Sequence, residues 1–209
     1  MDGLLEIYRE LDETIHALKV ETGLSCVEGC GKCCETPNRN IEASVLEVIP
    51  LALALWENGT GDFWLKRLEQ YSDSDFCIFY HSEPLFPGTG KCSVYPLRPL
   101  LCRLFGFAAK TGKNGEIVFS LCRKVKEVYP GLKEAVQQKI LEGTEVPVCS
   151  DFGRRVEALN PLLGNRKYPI NTAIRMALEK IGYRMLMLES NRDDKDKNPP
   201  VQPPVPEIA

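Results

Sequence analysis

The sequence predicts an α+β fold that is mostly helical, with helices packed around a cysteine-rich loop region and one or two short β-hairpins. Three observations lead there. Apolar residues recur at helical spacing near both ends: Leu4, Tyr8, Leu11, Ile15 and Leu18, then Ile170, Ile174, Ala177, Leu178, Ile181, Met185 and Leu188. The segments of extended character, 76–81 and 91–95, are short, aromatic and β-branched. All nine cysteines fall between positions 26 and 149, inside the frame of those helices.

In chain order, the first stripe predicts an amphipathic helix over 3–21, ended by Gly23. The stretch SCVEGCGKCCETPNRN has no apolar periodicity and reads as a structured loop. A helix over 44–57 has Ser44 as its N-cap, and Pro50 is expected to kink or restart it. Another helix follows Asp62 through Phe63, Leu65 and Leu68. The two short extended segments flank PLFPGTG, residues 98–105 suit a short helix, and Asn114-Gly115 signals a hairpin. Helices are expected near 131–142 and 151–159, before the long final one. Met176, Met185 and Met187 belong to that last helix as core packing.

The 209 residues suffice for one domain. We assign 1–188 to it, with cysteine region 26–149 and bracing helices 151–188. The charged, proline-rich segment 189–209 is expected to be a disordered tail. A net charge of −3 without a basic block argues against nucleic acid as a partner. The most apolar stretch, Val45 to Trp56, is interrupted by Glu47 and Pro50 and is too short for a membrane helix. The acidic start does not resemble a signal peptide. A cytoplasmic protein is therefore expected, with a protein or redox partner of unknown identity.

In a reducing cytoplasm, cysteines in such number are more often metal ligands or redox groups than disulfides. They are Cys26, Cys30, Cys33, Cys34, Cys77, Cys92, Cys102, Cys122 and Cys149. The first four form C-x3-C-x2-C-C, so one loop can deliver several sulfurs to one ion. Gly29 and Gly31 suit the tight backbone of such a loop and let N–H groups approach sulfur. Neighbouring side chains diverge, so Cys33 and Cys34 need not serve the same metal. The nine could form two four-ligand sites with one left over, or one site plus structural thiols. Lys32, Lys91, Arg103 and Arg123 adjoin cysteines, and Arg98 and Arg103 are the candidates for a role beside the cofactor, offsetting thiolate charge. His16 reads as a helix-surface residue, and His81 is not needed as a ligand.

CVEGCGKCC, an IEASVLEVI helix, CIFY and KCSVYPLRPLLCRLFGF together resemble the YkgJ-like cysteine-cluster proteins, the CxxCxxCC family. The likeness covers 26–107, with a first spacer of three residues where the family name has two. It implies zinc or iron chelation. By resemblance, Cys26, Cys30, Cys33, Cys34, Cys77, Cys92 and Cys102 carry over as metal-binding cysteines, and Arg98, Pro99 and Arg103 as residues of the family pattern. Cys122 and Cys149 lie beyond it, and either could complete the set.

Three functions compete. The favoured one is an iron–sulfur protein, with a 4Fe-4S cluster used in electron transfer, sensing or a modification reaction. The alternative cofactor is zinc, stabilising a protein-interaction module. The third is a thiol oxidoreductase without metal. Flagellin lysine N-methylases carry a similar cysteine cluster in larger chains, so membership of, or service to, such a protein-modifying system is a further reading. No phosphate loop, nucleophile elbow or zinc-protease helix is present, and whether the chain is an enzyme stays open.

Overall fold

The computed structural model describes residues 2–86 and 88–197. Helix α1 (Asp2–Thr22) buries the predicted stripe, including Leu4, Tyr8, Leu11, Ile15 and Leu18. The cysteine loop follows and ends in a 3-10 turn, Asn38–Asn40. Strand β1 (Glu42–Ser44) runs into α2 (Val45–Glu57), and α3 (Gly61–Leu68) comes next. Strands β2 (Tyr80–Ser82) and β3 (Gly90–Cys92) form a hairpin. A 3-10 turn, Tyr95–Leu97, then leads into α4 (Leu100–Leu104). A second hairpin, β4 (Ala108–Thr111) with β5 (Ile117–Ser120), precedes α5 (Arg123–Val128) and α6 (Leu132–Leu141). The chain continues through α7 (Cys149–Leu159), α8 (Pro161–Gly164) and β6 (Lys167–Pro169) into α9 (Ile170–Lys197).

The mostly helical α+β expectation holds, since every strand pair is short and antiparallel. Among the described residues no helix is long and apolar enough to cross a membrane.

Ser44 caps α2 as predicted, and Glu47 completes a capping box by accepting from the Ser44 backbone N–H. Helix α2 is continuous through Pro50, so the proline does not restart the helix. The proline removes one helical hydrogen bond near the helix start, while packing against α9 supports the segment along its length. The hairpin at Asn114-Gly115 forms. The strands predicted at 76–81 and 91–95 form at 80–82 and 90–92 instead. Helix α9 runs past 188 to Lys197, over the first part of the predicted tail; residues 198–209 lie outside the described residues.

Sequence reading missed the pairing of β1 with β6, which places Ala43 opposite Tyr168. Strands of three residues carry too little period-2 pattern to be seen. Short helices α5 and α8 were missed for the same reason.

The apolar interior has three parts. The largest joins α2, α3 and α9 with Ile78 and Phe79. A second joins α1 to Leu100, Leu104, Phe152 and Val156. A third gathers Leu18, Leu24, Phe119, Leu121, Val125 and Val136. Trp56 ties α2 to α9, its indole N–H donating to the Leu178 carbonyl at 2.9 Å. A Cβ on Gly182 would lie 2.5 Å from the Trp56 ring. Gly182→Ala is therefore expected to destabilise by about 1–3 kcal/mol through overpacking, less the roughly 1 kcal/mol that alanine gains in helix propensity. A lower urea midpoint at unchanged slope would show it.

Candidate metal centre

The cysteine loop is held against the β2–β3 hairpin by backbone pairing. Gly31 N–H donates to the Gly88 carbonyl and Gly90 N–H to the Gly29 carbonyl, both at 3.2 Å. Cys30 bridges to Thr89 in the same alignment. Gly29 takes φ +67°, where a side chain would be strained. A Cβ on Gly31 would meet the Tyr80 hydroxyl at 2.7 Å, so the close approach of loop to hairpin requires glycine there. Cys34 N–H closes a turn onto the Gly31 carbonyl at 2.9 Å.

Two asparagines fix the segment that carries Cys77. Asn171, at the start of α9, accepts from Ile78 N–H at 2.9 Å and donates to the Phe76 carbonyl at 3.0 Å, gripping both flanks of the cysteine. Asn38 donates through its side chain to the carbonyls of Ser72 and Asp75, joining the cysteine loop to the same stretch. Cys92 ends β3 opposite Tyr80, and Cys102 lies within α4.

Helix α4 is anchored from below by Glu47, which is 2 % exposed. Its carboxylate accepts from Leu100 N–H at 3.2 Å, from the Ser44 backbone and hydroxyl, and from the Lys167 ammonium at 2.8 Å. Sequence reading assigned Glu47 nothing beyond interrupting an apolar run. The Ser-x-x-Glu spacing was the available signal.

These anchors bring seven cysteines to one cavity of about 740 Å³: Cys26, Cys30, Cys33, Cys34, Cys77, Cys92 and Cys102. They come from four separated parts of the chain. Glu28, Lys91 and Arg98 also line the cavity, and neither histidine does. Cys122 lies just outside it, its Cβ 3.3 Å from where a Cβ on Gly106 would stand. Cys149 is set apart, at the start of α7 against the second apolar cluster.

The thiols feel one another. Cys33 and Cys34 have sulfurs 3.9 Å apart. Hydrogen bonding from Cys34, helped by backbone N–H groups and the Arg98 charge, pulls the Cys33 thiol down to about 6, and the same contact pushes Cys34 strongly up. Burial raises Cys77 to about 11. Burial, with the charges of Cys77, Cys33 and Cys92, raises Cys102 to about 12. Several thiolates in one small space repel, and a cation among them reverses that penalty.

The two candidate arginines part company. Arg98 stacks on Tyr95 with its guanidinium 3.5 Å from the ring centre, donates to the Cys102 carbonyl at 3.4 Å, and lines the cavity. Arg103 faces away: buried over the Tyr8 ring, it pairs with Asp12 and donates to the carbonyls of Pro96 and Arg98. Its place beside a cysteine in sequence reflects anchoring of the YPLRPLLCR segment, because successive side chains on a helix point in different directions. Lys32 lines the cavity and pairs with Glu35, whereas Arg123 lies outside it and pairs with Glu127.

The donor set fits a thiophilic metal: sulfur dominates and imidazole is absent from the lining. Among the described residues no three Cys, His, Asp or Glu side chains close on a common point as they stand. The sulfurs instead line the walls of a larger space.

Residues 25–127 match the family model described as "CxxCxxCC: Putative zinc- or iron-chelating domain". This segment belongs to the CxxCxxCC family. The matched range contains eight of the nine cysteines and excludes Cys149, in agreement with the separate position of that residue. No curated protein and no solved structure matches the chain.

Proposed function

We propose that this CxxCxxCC chain holds an iron–sulfur cluster, of the 4Fe-4S type, on thiolates of the cysteine cavity and uses it in electron transfer or a related redox reaction in the cytoplasm. The observation that carries this reading is the convergence of seven cysteines from four parts of the chain on one space of about 740 Å³. Thiolate-only donor sets of this kind suit iron–sulfur clusters. The volume accommodates a cluster more readily than it closes on a single ion. Arg98 supplies a cation beside the sulfurs, and the backbone N–H groups of Cys33 and Cys34 reach the Cys33 sulfur. Closing on the cofactor takes side-chain rotation and movement of the cysteine loop.

A second reading, zinc stabilising a protein-interaction module, is favoured by the brevity of the elements around the cavity. Strands β2 and β3 have three residues each and α4 has five. Elements so short need a staple, and structural zinc contributes about 10–16 kcal/mol of folding free energy in small modules.

Purification without oxygen, with both iron and zinc supplied, followed by counting Fe, Zn and acid-labile sulfide per chain, separates the two. Matching iron and sulfide with a coloured, reducible product is the expected result. Zinc alone, in a colourless protein that loses structure with chelator, moves the zinc reading to the front. Neither metal, with the fold intact, sinks both.

A further inference from the structure

We propose that the groove along the outer face of α3 is where an acidic redox protein docks to pass single electrons to the cofactor of the cysteine cavity. The inference rests on the cluster reading above and adds to it the partner's chemistry and its point of contact.

An open groove of about 690 Å³ lies beside the cysteine cavity, between α3 and the segment that carries Cys77. Cys77 and Tyr80 line both spaces and form their shared wall. A second connection runs through aromatic rings. Phe79 lines the cavity, Trp64 packs on it with ring centres 4.6 Å apart, and Phe63 stands edge-on to Trp64 at 5.2 Å. Phe63 in turn lines the groove and is 55 % exposed. A carrier seated in the groove therefore meets a cysteine that also faces the cavity. Electron transfer falls steeply with distance, and this contact makes the groove the port.

The lining sets the partner's chemistry. Phe63, Lys66 and Arg67 stand at i, i+3 and i+4 and share one face of α3. Both cations are exposed, and among the described residues neither pairs with a carboxylate. Asp62 and Glu69 of the same stretch lie outside the lining. The carboxylate within it, Asp75, accepts from the Ser72 backbone N–H at 2.7 Å and the Ser72 hydroxyl at 3.0 Å. Arg67 stands over the Trp64 ring at 5.9 Å, so one of the cations adjoins the aromatic connection. Exposed aromatic rings beside arginine are the composition of a protein-docking face. Carboxylates on the partner complement Lys66 and Arg67 and speed its encounter, while Phe63 and Phe76 supply apolar contact. Redox encounters use small faces of this kind. The step moves one electron: the partner's reduced carrier is oxidised, the cluster is reduced, and no bond forms or breaks.

The probe is a flavodoxin, an acidic one-electron carrier, titrated by calorimetry into the full metal-loaded chain, with cytochrome c as its basic counterpart. Wild type is compared with the double variant Lys66→Glu, Arg67→Glu. A second double variant, Lys113→Glu, Lys139→Glu, makes the same change of charge outside the groove, in the β4–β5 turn and α6. All four side chains are exposed, so both variants are expected to keep the fold. The groove pair should weaken flavodoxin binding by about tenfold or more, and added salt should weaken the wild type. The remote pair should leave binding within about twofold. The proposal is overturned if the wild type does not bind flavodoxin, if it binds cytochrome c as tightly, or if the groove pair binds as the wild type does. It is also overturned if both pairs weaken binding equally, since net charge and not the groove is then the cause. Groove-dependent binding by a chain that holds no iron supports the docking face while removing the cluster reading. A chain loaded with iron and sulfide that ignores flavodoxin removes the docking face and leaves that reading standing.

Discussion

Replacing Glu47 with alanine is expected to destabilise the fold by about 3–5 kcal/mol, the cost of breaking a buried ion pair and leaving its partners uncompensated. One nearly inaccessible carboxylate serves the N-terminus of α2, the Lys167 ammonium of β6 and the first N–H of α4. Its loss orphans donors on three elements at once. Glu47→Gln keeps one acceptor oxygen and should cost less. Urea denaturation would rank the pair, and equal effects would show that the three-way junction is not what the carboxylate holds. Because Leu100 lies two residues before Cys102, metal retention in Glu47→Ala should also fall.

Cys102→Ser should remove most bound cofactor, whereas Cys149→Ser should leave it in place. Cys102 lines the cavity and packs, partly buried, against the main core. Cys149 is remote from the cavity. Arg98→Ala should fall between them, weakening metal retention by roughly 10–100-fold, as is usual when a group supporting the ligands is lost. Retention against a graded chelator, read by metal analysis, orders the three. Arg103→Ala provides the contrast, since its side chain binds Tyr8, Asp12 and backbone carbonyls: stability should drop more than metal affinity. If Arg98→Ala and Cys149→Ser retain metal equally, Arg98 has no part in holding the cofactor.

Much of this architecture was legible in the sequence because long helices repeat their pattern. Six buried residues in α1 and the α9 stripe from Ile170 to Ile181 announce themselves through period, whereas Met187 and Leu188, read as part of the packed face, are exposed. The capping of α2 and the turn at Asn114-Gly115 were likewise written in local chemistry. The cysteines were legible as a set, and their spacing identified the loop. Their division was not, because it depends on contacts between segments far apart in the chain. Asn171 grips residues 76 and 78 from 93 or more positions away, and nothing in the sequence near either partner marks the pair. Arg103 misled for the opposite reason: it is adjacent to a cysteine along the chain and directed away from it in space.

The grip of Asn171 on the flanks of Cys77 bears on how the protein is made. Ile170 and Ile174 also line the cavity, so α9 finishes a site whose cysteines were all synthesised long before it. A ribosome that has released the whole matched segment 25–127 has yet to deliver Asn171, which fixes the flanks of Cys77. Throughout that interval the cysteines are accessible to oxidants and to stray metals. A fragment cut at the family boundary would lack the α9 wall of the cavity, so the proposed cofactor is expected to be held less well by that fragment than by the full chain.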